Sequence, residues 1–143
     1  MQRMKTGMDK RAKRIIIGLL EQVVIKSRKG NRRVLARIDT GATKSSMDAK
    51  LAQELHLGPV LRTRLIKSAH GTSRRPVISV LIRIAGKTIK EEFTLAERSH
   101  MKYTMLIGHN ILLHKPFLVD PHKKLKQKGR KSTARKTVTR ETR

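Results

Sequence analysis

One short segment of the chain combines residue types that could hydrolyse a bond. Asp39, Thr40, Gly41 and Ala42 directly follow the apolar run at residues 34–38, so a strand would deliver a carboxylate into a tight turn. Gly41 permits close backbone approach there, and the Thr40 hydroxyl can hydrogen-bond nearby backbone. Paired carboxylates about 3 Å apart share a proton and can activate water. The tripeptide by itself also fits an ordinary Asp turn after a strand.

The patterns around this loop predict a mostly β fold with one or two short helices. The strands flanking the turn at Gly30 predict a hairpin. Helical spacing predicts a helix over residues 46–55, begun by Asp48 or Ser46, and a helical turn at residues 111–113. The predicted strands cover residues 15–17, 22–26, 33–38, 61–66, 76–84, 88–95, 105–107 and 117–119.

Composition divides the chain into three zones, a basic N-terminal segment (1–14), one domain (15–121) and a basic tail (122–143). The tail is predicted to be disordered because it cannot bury enough apolar surface to offset its chain entropy. The 35 Lys and Arg against 10 Asp and Glu give a net charge of +25, which attracts RNA, anionic lipid or acidic peptides. Cysteine is absent, which excludes disulfides and thiolate metal sites. No apolar run is long enough to span a membrane, and we predict a cytoplasmic protein.

A second segment in the other half of the chain complements the aspartate loop: an apolar run ends in Ile107, Gly108, His109 and Asn110. Together the two segments resemble a retropepsin monomer. More narrowly, the chain resembles the bacterial and archaeal retropepsin-like aspartic peptidase family once labelled ATP-dependent zinc protease. The resemblance continues through Ser45-Ser46-Met47, Gly71, Arg75-Pro76-Val77, Phe93-Thr94-Leu95, Arg98-Ser99-His100-Met101, Tyr103 and Phe117-Leu118-Val119-Asp120-Pro121.

The resemblance implies a single-lobe acid-protease fold that forms an obligate homodimer, in which Asp39 of each copy is catalytic. Thr40, Gly41 and Ala42 would support the catalytic loop. The polar stretch at residues 68–75 takes the position of the retropepsin flap, or is a plain surface hairpin. The implied substrate contacts are His70, Gly71, Thr72, Arg74 and Arg75, and the implied structural residues near the site are Ile107, Gly108, His109 and Asn110.

Three positions depart from the family pattern. His109 stands where Arg is usual, Lys44 where Thr is usual and Thr104 where Pro is usual. The family Arg braces the active-site region by ion pairing, whereas His is shorter and only partly charged near neutral pH.

No metal or cofactor is predicted. The closest histidine pair, His109 and His114, has the wrong spacing for one helical face, and the chain has neither an HExxH motif nor a phosphate-binding Gly-x4-Gly-Lys-Ser/Thr loop.

The predicted function is an aspartic endopeptidase acting on a peptide or protein substrate, and we expect no membrane partner. Family members are associated with glutamate ligases that modify a ribosomal protein, which favours acidic substrates. Arg74 and Arg75 would pair with such acidic side chains, or form a solvated charge pair. One alternative is a weak or inactive protease scaffold that binds RNA or other polyanions non-specifically through its basic surface and tail. Another is a peptide-binding module that dimerises without catalysis.

Overall fold

The computed structural model describes residues 13–69 and 71–125, which form nine strands and two short helices. Residues 1–12 of the predicted N-terminal segment, the predicted flap residue His70 and residues 126–143 of the predicted tail lie outside the described residues. In chain order the elements are β1 (Ile15–Ile17), β2 (Leu20–Lys26), β3 (Arg32–Ile38), β4 (Ser45–Asp48), α1 (Ala49–Glu54), β5 (Val60–Ser68), β6 (Gly71–Ile84), β7 (Lys87–Ala96), β8 (Met105–Ile107), α2 (His109–Leu112) and β9 (Phe117–Val119).

Six strands form a sheet that closes on itself. They pair in the order β2-β3-β8-β4-β7-β6, and β2 pairs with β6 to complete the ring. β5 extends this sheet as an antiparallel partner of β6. The β3–β8 and β4–β7 pairs are parallel, and the predicted β2–β3 hairpin is confirmed as an antiparallel pair. β1 and β9 pair in parallel as a separate two-stranded sheet. The mostly β prediction is therefore confirmed.

The core lies inside the closed sheet because the strands alternate in polarity with a period of two. On β6, Val80, Ile82 and Ile84 are buried, whereas Leu81 and Arg83 between them are exposed. Fully burying one such side chain contributes about 1.5–3 kcal/mol. Ile, Val, Leu and Met supply most of this core, as the scarcity of aromatic residues requires.

The helix predicted over residues 46–55 is wrong at its start. Ser45–Asp48 form β4, which is hydrogen-bonded to β7 on one side and to β8 on the other. Pairing on both sides, with Met47 fully buried, outweighs the local helical spacing. α1 begins at Ala49, and Asp48 caps it by accepting a hydrogen bond from the Leu51 amide at 3.4 Å.

The polar stretch at residues 68–75, which lies between the predicted strands at residues 61–66 and 76–84, is also mostly strand. β5 and β6 remain in register up to Ser68 and Gly71. Continuous cross-strand pairing explains the difference, because backbone hydrogen bonds in a long hairpin do not require apolar side chains. We call β5 together with residues 71–78 of β6 the long hairpin.

Neither described helix could cross a membrane. α1 has six residues and α2 has four, and within residues 13–69 and 71–125 no helix is long and apolar enough for a span.

Candidate active site

Asp39 lies immediately after β3, where the chain leaves the closed sheet. Its amide donates to the Ile107 carbonyl oxygen at 2.9 Å, which extends the β3–β8 ladder by one residue. Its side-chain Oδ1 accepts a hydrogen bond from the Gly41 amide at 2.9 Å, and the Ala42 amide donates to its carbonyl oxygen at 3.2 Å. The carboxylate is thus fixed at the start of a tight turn, and Asp39 is half-buried.

The described part of the chain brings no second carboxylate into this loop, and Asp39 Oδ2 accepts no hydrogen bond there. Every other described carboxylate is engaged elsewhere. The pairs are Glu21 with Lys123, Asp48 with the Leu51 and Arg98 amides, Glu54 with Arg32, Glu91 with His114, Glu92 with Arg62, Glu97 with Ser99, and Asp120 with His122. One chain therefore presents one carboxylate with a free oxygen at this position.

Gly108 packs directly against the loop that follows Asp39. The Gly108 amide donates to Ser45 Oγ at 2.9 Å, and the next amide, of His109, donates to the Ala42 carbonyl oxygen at 2.7 Å. A Cβ added at Gly108 would lie 2.3 Å from the Lys44 carbonyl oxygen and 2.7 Å from that of Ala42. Only glycine permits this approach, so the two sequence-predicted segments are held together by backbone contact.

Ser45 is the residue that sequence reasoning did not place in the site. It is fully buried on β4, and besides accepting from Gly108 its Oγ donates to Asn110 Oδ1 at 2.7 Å. Asn110 Nδ2 in turn donates to the Glu92 carbonyl oxygen on β7 at 2.9 Å. The two-residue alternation of a strand could have identified it. Ser45 lies on the same strand face as buried Met47, and a buried hydroxyl needs a hydrogen-bond partner.

His109 braces the aspartate loop from α2. Its Nε2 hydrogen-bonds the Thr40 carbonyl oxygen, so it contacts backbone instead of forming the ion pair that the resemblance implies for Arg. Lys44, another departure from the family pattern, is exposed. The structure thus gathers residues 39–42 and 107–110 into one interlocked unit.

The long hairpin carries the remaining predicted residues that the structure describes. Gly71, Thr72 and Arg74 are exposed, and Arg75 is half-buried. No hydrogen bond or ion pair among the described residues joins Arg74 or Arg75 to the Asp39 loop. The hairpin is instead tied to β7 by Arg62, whose guanidinium pairs with the Glu92 carboxylate. That hydrogen bond holds the pKa of Glu92 below its ordinary value.

Three arginines form a cluster at the long hairpin. Arg64 and Arg75 are cross-strand register partners, and like charges directly opposite each other destabilise a strand pair. Burial lowers the pKa of Arg98, the attraction of Asp48 opposes this, and the charge of Arg75 lowers the pKa further. Arg64 and Arg75 have no acidic partner within the described residues. We call Arg64, Arg75 and Arg98 the hairpin arginines.

A cavity of about 280 Å³ adjoins the start of the aspartate loop. Leu19, Leu20, Arg37, Ile38 and Tyr103 line it, and Leu19 is half exposed. The surface beside Asp39 is therefore largely apolar and accessible.

Potential metal ligands are dispersed. Within residues 13–69 and 71–125, no three side chains from His, Asp or Glu lie close enough to hold an ion. His109 uses Nε2 on Thr40, and His114 uses Nε2 on Glu91 at 2.8 Å.

Comparison with known proteins identifies a matching family. A family model described as the retropepsin-like aspartic endopeptidase RimB matches residues 48–130, more than half of the chain. The match begins at Asp48 and so does not include the Asp39 loop, whose place in the site comes from its geometry.

Three individual proteins that resemble this chain share at most about a third of its residues over the aligned region. A Shewanella pealeana protein named a probable alpha-L-glutamate ligase is 33% identical over 113 residues, covering 62% of this chain and 24% of that protein. The chain thus spans about a quarter of this relative. A Legionella pneumophila protein of unknown function has a similar fold, with a TM-score of 0.56, 19% identity and coverage of 77% of this chain and 95% of that one. The simian foamy virus protease gives a TM-score of 0.48 at 19% identity, over 62% and 86% of the two chains.

Proposed function

Because the chain belongs to the retropepsin-like aspartic endopeptidase RimB family, we propose that it is an aspartic endopeptidase that acts as a homodimer. The observation that carries this proposal is the state of the Asp39 carboxylate. Oδ1 is fixed by the Gly41 amide, whereas Oδ2 has no partner in the described chain. To activate water for peptide hydrolysis, this carboxylate needs a second acidic group, and a twofold axis beside the loop would supply Asp39 of another copy.

The proposed chemistry is shared by the two Asp39 side chains. At a separation of about 3 Å, two carboxylates hold one proton between them. The unprotonated carboxylate accepts a proton from a water molecule while that water attacks the carbonyl carbon of the peptide bond. The protonated one donates to the carbonyl oxygen. The C–N bond then breaks: the amine leaves with a proton from one carboxyl group, and a hydroxyl proton of the intermediate returns to the other, so the pair again holds one proton.

The interlock around Gly108 would make this pairing precise. Ser45 and Asn110 hold residues 108–110 to β4 and β7, and His109 holds the aspartate loop to α2, so Asp39 has little freedom to retreat from the axis. Exposed Leu19 beside the loop offers apolar contact to a second copy. Two chains of net charge +25 repel each other, so added salt should strengthen dimerisation.

We further propose that the substrate is an acidic peptide. The hairpin arginines concentrate positive charge, and two of them, Arg64 and Arg75, have no acidic partner in the described chain. Guanidinium groups bind carboxylates in a bidentate manner. A substrate carboxylate between Arg64 and Arg75 would relieve their mutual repulsion. The resemblance of this chain to part of a probable alpha-L-glutamate ligase supports glutamate as the acidic residue.

The test is a peptidase assay with a glutamate-rich peptide and a glutamine-rich peptide of equal length. Asp39→Asn should reduce cleavage of both to background, whereas Asp120→Asn, which alters a carboxylate in a separate turn, should retain activity. Excess Asp39→Asn protein mixed with the unaltered chain should also lower its activity, because mixed dimers have only one ionisable Asp39. Activity that survives Asp39→Asn would remove Asp39 from the reaction.

The substrate class is tested separately with Arg75→Gln. We expect a lower preference for the glutamate-rich over the glutamine-rich peptide, through a higher KM, and little change in kcat. An unchanged preference would contradict an acidic substrate and leave the Asp39 chemistry intact.

A further inference from the structure

A row of outward-facing arginines crosses three strands of the closed sheet. Val24 on β2 is the register partner of Arg33 on β3 and also of Arg83 on β6. The neighbours of Val24 along its strand, Val23 and Ile25, are fully buried, so Val24 and both arginines point to the outer face. Strands lie about 4.8 Å apart, which puts the two arginine Cα atoms roughly 10 Å apart. We call Arg33, Val24 and Arg83 the arginine row.

These arginines are not neutralised by the part of the fold that the structure describes. Arg33 makes no ion pair there, and Arg83 makes only a hydrogen bond to Thr88 Oγ1 at 3.3 Å. The next outward row adds Lys26 and Lys90, the register partners of Leu81 on either side. Neither row contains an acidic residue. The face therefore concentrates positive charge far from the end of β3 that leads to Asp39.

A cavity of about 430 Å³ adjoins the arginine row. Arg33, Arg83 and Lys123 contribute charge to its wall, and Gln22 contributes an amide. Its one carboxylate, Glu21, is nearly buried and already accepts from Lys123 Nζ at 2.7 Å and from the Gly18 amide at 2.8 Å. Apolar parts of the wall come from Ile15, Ile16, Val24, Ala85 and Leu125. The volume lies within the range of small-ligand sites.

We propose that the arginine row and this cavity form a docking site for single-stranded RNA. Guanidinium groups bind phosphate in a bidentate manner, and two of them about 10 Å apart on long side chains can share one phosphate or hold two. The apolar part of the cavity wall, beside the Gln22 amide, suits a nucleobase, which can enter such a cavity only when it is unstacked from a duplex. A peptide made only of acidic residues would leave the apolar wall unused.

The sequence beyond the cavity supports the same partner. Leu125 lies in the cavity wall, and the chain continues from it into residues 126–143, which are rich in Lys and Arg with a single acidic residue, Glu141. RNA bound at the arginine row would therefore be close to the origin of this segment. The site does not depend on the peptidase proposal, because none of its residues belongs to the Asp39 loop or the hairpin arginines.

The test uses the full chain and a short fluorescein-labelled oligouridylate, with binding measured by fluorescence anisotropy over a range of salt. The double variant Arg33→Gln/Arg83→Gln is compared with Arg28→Gln/Lys50→Gln, which removes the same charge from the β2–β3 turn and α1. We expect the first to weaken binding by about tenfold or more and to reduce the salt slope by about 0.7 if the two arginines share one phosphate, or by about 1.4 if they hold two. The control should weaken binding by about twofold or less.

Equal losses in the two double variants would overturn the site, because they would show that only the overall charge matters. Abasic oligonucleotide of the same length tests the cavity: the unaltered protein should bind it more weakly than oligouridylate, and equal binding would refute the nucleobase contact. Vesicles of phosphatidylglycerol test the membrane alternative. If Arg33→Gln/Arg83→Gln loses vesicle binding but retains oligouridylate binding, the face docks on lipid and the RNA proposal is wrong.

Discussion

Gly108→Ala is the substitution that most directly tests how the candidate active site is built. Gly108 has an ordinary negative φ of −110°, so alanine meets no intrinsic backbone strain there. The obstacle is steric: the new Cβ would lie 2.3 Å from the Lys44 carbonyl oxygen and 2.7 Å from that of Ala42, and backbone atoms cannot rotate aside as a side chain can. The segment bearing Gly108 must move away from the loop that follows Asp39.

The cost follows from what that movement breaks. The hydrogen bonds from the Gly108 amide to Ser45 Oγ and from the His109 amide to the Ala42 carbonyl oxygen would lengthen or separate. A buried polar group left unsatisfied costs about 1–3 kcal/mol, and overpacking costs a similar amount. We expect the free energy of unfolding to fall by about 2–5 kcal/mol, and peptidase activity to fall further because Asp39 is displaced.

Urea denaturation followed by circular dichroism measures the loss, and Gly30→Ala is the matched control. Gly30 has a φ of +103°, and a Cβ added there would meet no atom within 4 Å, so alanine suffers only the left-handed backbone cost of about 1–2 kcal/mol. If Gly108→Ala is no more destabilising than Gly30→Ala and retains activity, the close contact does not hold the aspartate loop.

Two further predictions concern the residues behind this contact. Ser45→Ala should lower the free energy of unfolding by about 2–4 kcal/mol, because the Gly108 amide and Asn110 Oδ1 lose their shared partner. The control Ser46→Ala should change it by less than about 0.5 kcal/mol. Equal effects of the two substitutions in urea denaturation would contradict the role assigned to Ser45. Burial opposes ionisation of Glu91, but hydrogen bonds from the Glu92 amide, His114 and Asn110 outweigh it and lower its pKa. A lowered folded pKa gives stability that is present above the unfolded pKa and is lost as pH falls through the folded value. The stability difference between the unaltered chain and Glu91→Gln should therefore shrink in acid, and a difference that is constant with pH would refute this account.

Local sequence patterns were sufficient to predict the mostly β fold and most of its strands, and they drew attention to the Asp39 loop. β8 and β9 were predicted with the bounds that the structure shows, because short apolar runs between polar residues have few alternatives. The Asp39 loop was singled out since an apolar strand ending in a polar turn is visible within a few neighbouring residues, whereas residues 107–110 were placed near it by the family resemblance. Asp48 and Ser46 were the two residues predicted to begin the helix, and Asp48 is the one that caps α1.

Contacts between distant residues were decided by the tertiary structure alone. Ser45 lies 63 positions from Gly108 in the chain, and nothing near either residue indicates that one needs the other. β4 appears helical by spacing, yet it becomes a strand because β7 and β8 offer backbone partners on both sides. Arg64 lies opposite Arg75 because of the register of the long hairpin. The arginine row exists because β2 pairs with β6 and closes the sheet. Periodicity reports which face of a strand is buried, whereas register and closure determine which side chains meet across strands.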